Sequence, residues 1–479
     1  MLDWLQSYGP YLGGALVLTT ALSAAIHAIL HKRDSRAATG WVAVILALPL
    51  LGAAFYALFG INRIQRRALA LRGDQSRVEF LPKVEPVHSD ALHEAFGPPA
   101  AERGRLVRKV TQRPLLPGNK IEPLAEGDTA FPAMLDAIEG AQRSITLTTY
   151  IFDNDPVGHR FVEALVRAVE RRIHVRVLID AAGVRYSRPP IHRELKRRGV
   201  PTALFMPIVF ARLFHLNLRT HRKILVVDGE LGFTGGINLR QGHELRAKPR
   251  RPVRDLHFCL EGPVVSQLQE VFSEDWEFST GESLRGPPFF ANHEVGGESL
   301  ARAISDGPDD DLDRLHWTLL GAIASAQRSI KVLTPYFLPE LPLITALNVA
   351  ALRGIRVDIV LPEKVNIRPV GWAMSAQIWR VLQHGCRVWL TPPPFDHAKL
   401  MIVDDHWVLF GSSNWDPRSL RLNFELNVEV YDRNLARELT GMLDERIISA
   451  RRLEIAELEA RSVWVRLRDG VARLAAPYL

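Results

Sequence analysis

Two segments of the chain carry the same five residues at the same spacing. HRKILVVDGELGFTGGIN starts at His221 and continues to Lys223, Asp228, Gly235 and Asn238. HAKLMIVDDHWVLFGSSN starts at His397 and continues to Lys399, Asp404, Gly411 and Asn414 at the same offsets. One histidine of such a pair can attack phosphorus and form a covalent intermediate. The other can protonate the leaving oxygen and later deprotonate the incoming one. Lysine ammonium groups and the amides of Asn238 and Asn414 can hold non-bridging oxygens as charge develops on them. Side chains two apart on a strand share a face, so His221 and Lys223 address one ligand, as do His397 and Lys399. Asp228 and Asp404 complete the motif at odd spacing beyond the strand ends, where their expected work is to fix the turn. The pattern points to phosphoryl transfer at a site that both segments share.

A reacting imidazole needs its second nitrogen held. Asp255 in RDLHFCLEG and Glu425 in NFELNVEV follow their motifs in strand-like runs. They are expected to orient His221 and His397 respectively. No metal is expected: H-x-K sets a cation beside each would-be ligand, and the chain has no cysteine cluster and no H-E-x-x-H helix. Cys259 and Cys386, the two cysteines, stand in apolar runs and read as reduced core residues.

The elements that position these residues also repeat. AIEGAQRSITLTTY at 137–150 corresponds to AIASAQRSIKVLTPY at 322–336, with AQRSI identical. Residues 161–180 resemble 343–362, and 195–205 resemble 381–391, before the motifs arrive in the same order. Helix and strand patterns alternate in each half, which implies an α/β fold with a helix-covered sheet, duplicated. KILVVDGELGFTG and KLMIVDDHWVLFG each read as strand, turn, strand.

Ahead of the repeat, residues 11–30 and 41–59 contain no formal charge. Each approaches the roughly 20 residues that cross a bilayer as a helix. They predict a transmembrane hairpin over 8–60, with Trp41 and Tyr56 near span ends, Pro49 as a possible kink and His27 at a helix contact or interface. Residues 61–130 then read as a basic, Pro-rich connector and 131–278 as the first half. Residues 279–310, rich in Gly, Pro and acids, read as a linker, and 311–479 as the second half with closing helices. A net charge of +7 favours an acidic partner, either nucleic acid or an anionic membrane surface. The paired spans, and the lack of a basic–aromatic nucleic-acid module, favour the membrane. Arg63, Arg66, Arg67, Arg72 and Arg77 outnumber Lys32, Arg33 and Arg36, which places the C-terminal bulk in the cytoplasm. The apolar run up to His221, with Phe205, Phe210 and Phe214, suggests a loop lying on the bilayer beside the site.

The doubled H-x-K-x4-D motif with its trailing G-x-x-N resembles the phospholipase D superfamily. Nearly end to end, the chain is similar to bacterial cardiolipin synthases. GWVAVILALPLLGAAFYALFG followed by NRIQRRA resembles that family's anchor. TYIFDND, RVLIDAAG, THRKILVVDG and GGIN resemble its first half; TPYFLP, DHAKLMIVDD and GSSNWDPRSLRLNFELNVEVYD resemble its second. The resemblance implies duplicated phospholipase D-like domains with mixed sheets, behind a multi-pass anchor in the bacterial inner membrane. It also implies a phospholipid substrate, phosphatidylglycerol, with no nucleic acid and no cofactor. One phosphatidylglycerol would give its phosphatidyl group to His221, His397 would serve as acid and base, and a second would accept the group as glycerol leaves. Asn366, in PEKVNIRPVGWAMS, stands where many relatives carry an acid. Water or another alcohol as acceptor is the competing reading, and a nuclease the more distant one.

Overall fold

A computed structural model describes residues 2–32, 35–60, 84–206, 218–291, 296–309 and 311–476. The chain divides into an N-terminal unit, residues 1–71, and a larger one, 72–479. In the first, α1 (Leu2–His31) packs against α2 (Ser35–Ala47) and α3 (Pro49–Phe55). Residues Tyr8–His31 form one helix long and apolar enough to cross a membrane. The second expected span is broken at Leu48, because Pro49 has no N–H and its ring clashes with the preceding turn. Small residues Ala21, Ala25 and Ala28 let the helices approach Ile45 and Tyr56. His27 Nδ1 lies 2.8 Å from the Tyr56 hydroxyl, a contact between helices. The arginines at 63–77 lie outside the described residues.

Among the described residues, the larger unit is built on a sixteen-stranded mixed sheet. The first half supplies β1 (Leu116–Ala125), β2 (Ser144–Thr149), β3 (His174–Asp180), β4 (Thr202–Phe205), β5 (Arg219–Thr220), β6 (Ile224–Val227), β7 (Leu231–Gly235), β8 (Val253–Arg254) and β9 (Leu256–Glu261). The second supplies β10 (Ser299–Asp306), β11 (Ser329–Leu333), β12 (Arg356–Pro362), β13 (Arg387–Thr391), β14 (Phe395–Asp396), β15 (Leu400–Val403), β16 (Trp407–Gly411), β17 (Asn423–Tyr431) and β18 (Arg451–Arg452). Outward from the seam the first half runs β1, β9, β7, β6, β2, β3, β4, and the second runs β10, β17, β16, β15, β11, β12, β13, β18. The repeat in sequence is therefore a pseudo-twofold repeat in space. The short β8 and β14 pair with each other as a separate two-stranded sheet.

The seam is antiparallel pairing of β1 with β10, Leu116 opposite Ala301 and Asn119 opposite Ser299. These strands correct the expected connector and linker: parts of 61–130 and 279–310 form the middle of the sheet. Their polar residues, which read as loop composition, are paired inside the protein. The Asn119 amide donates to the Leu116 and Ser299 carbonyls. The fully buried Arg302 donates to Glu429 Oε1 at 2.6 Å and to the Arg113 carbonyl at 3.1 Å. Asp309 and Asp311 after β10 are buried too, with Asp311 accepting from Ser305 Oγ and ion-paired to Arg314.

Of the helices, α4 (Pro98–Thr111) packs on the helix Arg314–Ser325. Two others, α5 (Val264–Thr280) and α8 (Arg433–Ser449), share the central core. That core draws on both halves: Leu268 and Val271 meet Leu439 and Leu443 in one cluster with Ile224, Val226, Leu400 and Ile402. At its centre the rings of Phe258 and Phe410 stack, centroids 3.6 Å apart. In the second half α6 (Arg368–Ser375), α7 (Pro417–Arg421) and α9 (Val463–Leu474) complete the elements used below.

Both motifs form hairpins, Ile224–Thr234 to Val227–Leu231 and Leu400–Phe410 to Val403–Trp407. Positive φ at Asp228 (56°) and Gly229 (69°), and at Asp404 (53°) and Asp405 (56°), makes the tight turns. The motif carboxylates are used at these turns. Asp228 accepts from the backbone N–H groups of Gln142, Arg143 and Ser144 at 2.8, 2.6 and 2.8 Å. Asp404 accepts from Gln327, Arg328 and Ser329 at 2.8, 2.7 and 3.0 Å. The identical AQRSI segments are thus the loops that these aspartates hold. Replacing Asp228 or Asp404 by Ala is expected to cost about 2–4 kcal/mol, since three amides lose a charged acceptor. Chemical denaturation of each variant measures this, and an unchanged midpoint would remove the structural role.

Candidate active site

The residues before each motif histidine leave their own half and join the other. Through β5, Arg219 lies opposite Asn423 and Thr220 opposite Phe424, parallel to the start of β17. The His221 N–H then donates to the Phe424 carbonyl at 2.8 Å. Symmetrically, β14 sets Phe395 opposite Val253 and Asp396 opposite Arg254, and the His397 N–H donates to the Arg254 carbonyl at 2.8 Å. The next residue along each partner strand is an acid. His221 Nδ1 therefore lies 3.0 Å from Glu425 Oε2, and His397 Nδ1 lies 2.7 Å from Asp255 Oδ2. This reverses the expected pairing: Glu425 serves His221 and Asp255 serves His397. Within one half β7 separates β9 from β6, so an acid at the head of β9 cannot reach its own motif by strand pairing.

Buried ion pairs pin both leading segments to the central helices. Arg222, between the first motif's His and Lys, donates to Asp275 of α5 at 2.7 Å and to the Glu425 carbonyl at 3.0 Å. Arg446 of α8 donates to Asp396 at 2.7 Å, one residue before His397. Asp180, pushed up to about 6 by burial, takes the Thr220, Ala182 and Gly183 amides and anchors β5.

His221, Asn238, His397 and Asn414 line one cavity of about 560 Å³. With both Nδ1 atoms facing carboxylates, the Nε2 atoms are the ones left for chemistry. Tyr150 meets His221 edge-on at 5.1 Å, and Tyr336 meets His397 edge-on at 6.4 Å. Lys223 and Lys399 are almost wholly buried beside the histidines, each Nζ bonded to the carbonyl of its own motif histidine. Burial lowers Lys223 to about 7, with the Lys399 ammonium adding to the shift, and burial lowers Lys399 to about 8 against the pull of Asp255 and Glu425. Burial also holds His221 below the ordinary imidazole value, against the pull of Glu425. His397 is pushed well below by burial, with Lys399 and Lys223 adding to it. An anion held beside the lysines would offset these charges and raise both histidines again.

The two acids are held differently. Glu425 also accepts from the Ser412 hydroxyl at 2.5 Å and the Asn423 amide at 3.1 Å. Burial works against its ionisation, but His221, Lys223 and Ser412 outweigh that and keep it charged. Asp255 takes the backbone N–H of Leu256 at 2.9 Å. Gly236 occupies the position that Ser412 has in the second motif, and a Cβ there would collide with the Asp255 carboxylate.

Several cavity residues carried no signal of their own in the motifs: Tyr150, Tyr336, Arg219 and Arg418. The tyrosines could have been found, since TTY and TPY close the same repeated strand. Asn366 accepts from the Tyr336 hydroxyl at 2.7 Å, on the cavity wall. Phe205 is buried against Phe278 and Phe424, whereas Phe210 and Phe214 lie outside the described residues. Among the described residues, no group of three His, Cys, Asp or Glu side chains is placed to hold a metal.

Two motif histidines facing one cavity across a duplicated α/β sheet define a phosphodiester-transfer enzyme of the phospholipase D kind. The family model "Cardiolipin synthase, PLD-like domain" matches residues 134–276 and 319–447, and "Phospholipase_D-nuclease N-terminal" matches 21–60. The cardiolipin synthase of Geobacillus thermodenitrificans is 31% identical over 456 residues, 94% of this chain and 90% of that protein. The major cardiolipin synthase ClsA of Bacillus subtilis is 30% identical over 459 residues, 94% of this chain and 95% of that one. A phosphatidylserine synthase structure from Haemophilus influenzae shares the fold at a TM-score of 0.60, with 15% identity, covering 79% of this chain and all of that one. The chain belongs to the cardiolipin synthase family of phospholipase D-like proteins.

Glu425→Gln and Asp255→Asn are expected to leave the fold intact and to slow turnover on the order of 100-fold or more, because a neutral partner no longer stabilises an imidazolium. Steady-state rates together with circular dichroism check this. Normal turnover in either variant would end the role given to that acid.

Proposed function

We propose that this protein makes cardiolipin from two molecules of phosphatidylglycerol. The observation that carries the reading is one cavity with two histidines, each tied through Nδ1 to an acid of the opposite half. It occurs in a chain matched along nearly its whole length by cardiolipin synthases. His221 Nε2 attacks the donor's phosphorus, and the P–O bond to the glycerol headgroup breaks. His397 gives that oxygen its proton, and glycerol leaves. The free hydroxyl of the second lipid then loses its proton to His397 and attacks phosphorus. The P–N bond breaks, its electron pair returning to His221. One phosphodiester replaces another, so the exchange needs no cofactor.

The unequal acids support these roles. Glu425 spreads its charge over Ser412 and Asn423 as well as His221, which suits a neutral nucleophile. Asp255, closer to its histidine, gives more of its charge to His397, which must carry the proton. The lysines neutralise the phosphate that reacts, with Asn238 and Asn414 beside it. Transfer between lipids brings a second phosphate into the same cavity. Arg185, Arg219 and Arg418 line it, and none is ion-paired among the described residues, which supports a place for the acceptor's phosphate. We assign the protein to the bacterial inner membrane, with its catalytic unit on the cytoplasmic side and an anionic bilayer as its working surface. The α1 span and the arginines after residue 61 support that placement.

Purified full-length protein incubated with phosphatidylglycerol vesicles is expected to release glycerol and form cardiolipin, and His221→Ala to form none. Phosphatidic acid as the only lipid product from wild type would make water the acceptor and overturn the reading. Replacing Arg219 and Arg418 together by Ala is expected to raise the phosphatidic acid to cardiolipin ratio by about tenfold or more, since each charged contact contributes roughly 1.5–3 kcal/mol. Lipid analysis gives that ratio, and an unchanged value would remove the acceptor site.

A further inference from the structure

Helix α9, SVWVRLRDGVARL with its N-cap Ser462, is built the wrong way round for a water-exposed helix. Trp464, Leu467, Val471 and Leu474 recur at intervals of three, four and three and make one stripe along it. A surface helix of a soluble domain turns such a stripe inward. Here the stripe faces out: Trp464 is 78% exposed, Leu467 56%, Val471 58% and Leu474 76%, with Val463 at 73% beside them.

The side turned toward the protein carries small apolar residues, Ala472 and Ala476 among them, around one buried acid. Asp469 is 1% exposed and accepts from Arg461 Nη1 at 2.7 Å and from Arg468 Nη2 at 2.7 Å. Arg461 also donates to the Ser375 carbonyl at the end of α6, and the Arg468 guanidinium lies 4.6 Å over the Trp372 ring. Ion pairs and a cation–π contact thus fasten α9 to α6 and leave five large apolar side chains exposed among the described residues. A cluster of that kind on a fastened helix calls for an apolar medium outside the protein.

Two further observations identify the medium. Arg466 and Arg473 flank the stripe, and neither is ion-paired among the described residues, which suits anionic headgroups. A tryptophan at one end of such a helix suits the interface between headgroup and acyl chain. The helix also runs up to the catalytic cavity. Ala476, two residues past α9, lines that cavity, as do Ile367 and Val370 at the start of α6.

We propose that α9 is an interfacial helix: its apolar stripe sinks into the surface of an anionic bilayer, and so holds the cavity mouth against the lipids. The proposal rests on the lipid-substrate reading above for its purpose, though not for its test. In full-length protein, Leu467→Cys labelled with an environment-sensitive fluorophore is to be placed in vesicles of brominated phosphatidylcholine and phosphatidylglycerol. Quenching is expected, and it does not depend on turnover. Absence of quenching overturns the proposal, and so does excimer formation between labels in its place, which would make the occupant a second copy of the chain. Leu467→Glu with Val471→Glu, both exposed positions, is expected to lower activity on vesicles by about tenfold while sparing a micelle-free short-chain phosphatidylglycerol. Leu467→Trp should keep vesicle activity. Equal loss on both substrates, or loss on neither, overturns the docking role. Quenching in a protein that makes no cardiolipin would leave the helix assigned and the reaction refuted.

Discussion

The constraint on which the site depends is the hydrogen bond that each motif histidine makes to an acid of the opposite half. A buried imidazole with a loose second nitrogen has no fixed tautomer and no fixed direction. Here the direction is set by backbone pairing: β5 runs beside the start of β17, β14 runs beside β8, and each histidine amide continues the ladder by one bond. A slip of one residue in either pairing would turn the acid to the far side of its strand. The register at the β1–β10 seam, the joint core of α5 and α8 and the Phe258–Phe410 stack all serve to hold two short parallel pairings in place. Neither half can make a working histidine alone.

Charge balance follows from the same arrangement. Two lysines and two histidines share a buried space with two carboxylates, and both ammonium groups are easier to deprotonate than in water. Such a site is complementary to an anion. A bound anion would favour the protonated form of both lysines and of His397. The lysine positions are set before any substrate arrives, because each Nζ is tied to its own histidine's carbonyl.

Much of this was legible in the residues. The doubled motif pointed to residues that line one cavity, the AQRSI repeat exposed the duplication, and the odd spacing of Asp228 and Asp404 marked them as turn-fixing acids. The crossed pairing was not legible. Spacing along a chain speaks of neighbours within one half, and under pseudo-symmetry an acid at the head of β9 or β17 serves either histidine equally well on paper. The middle of the sheet was hidden for another reason. Pro117, Gly118 and Pro123 in β1, and the acids after β10, have the composition of loops, and only their buried partners reveal them as core. Pro49 was visible, but its consequence was larger than a kink: α2 and α3 are separate helices.

Duplication sets two histidines in similar frames, and the structure differs around them at two pairs of positions. A symmetric frame would give two equivalent histidines, yet transfer through a covalent intermediate needs one neutral nucleophile and one proton carrier. The first half has Gly236 with the shorter Asp255, whose carboxylate fills the space that a side chain at 236 would take. The second half has Ser412 with the longer Glu425, and the serine hydroxyl draws on the glutamate's charge. These substitutions have to change together: a serine at 236 would strike Asp255, and a glycine at 412 would leave Glu425 without its hydroxyl donor. The pair 236/255 and the pair 412/425 therefore break the symmetry without disturbing the sheet. Through Asp255 and Glu425 the difference reaches both imidazoles.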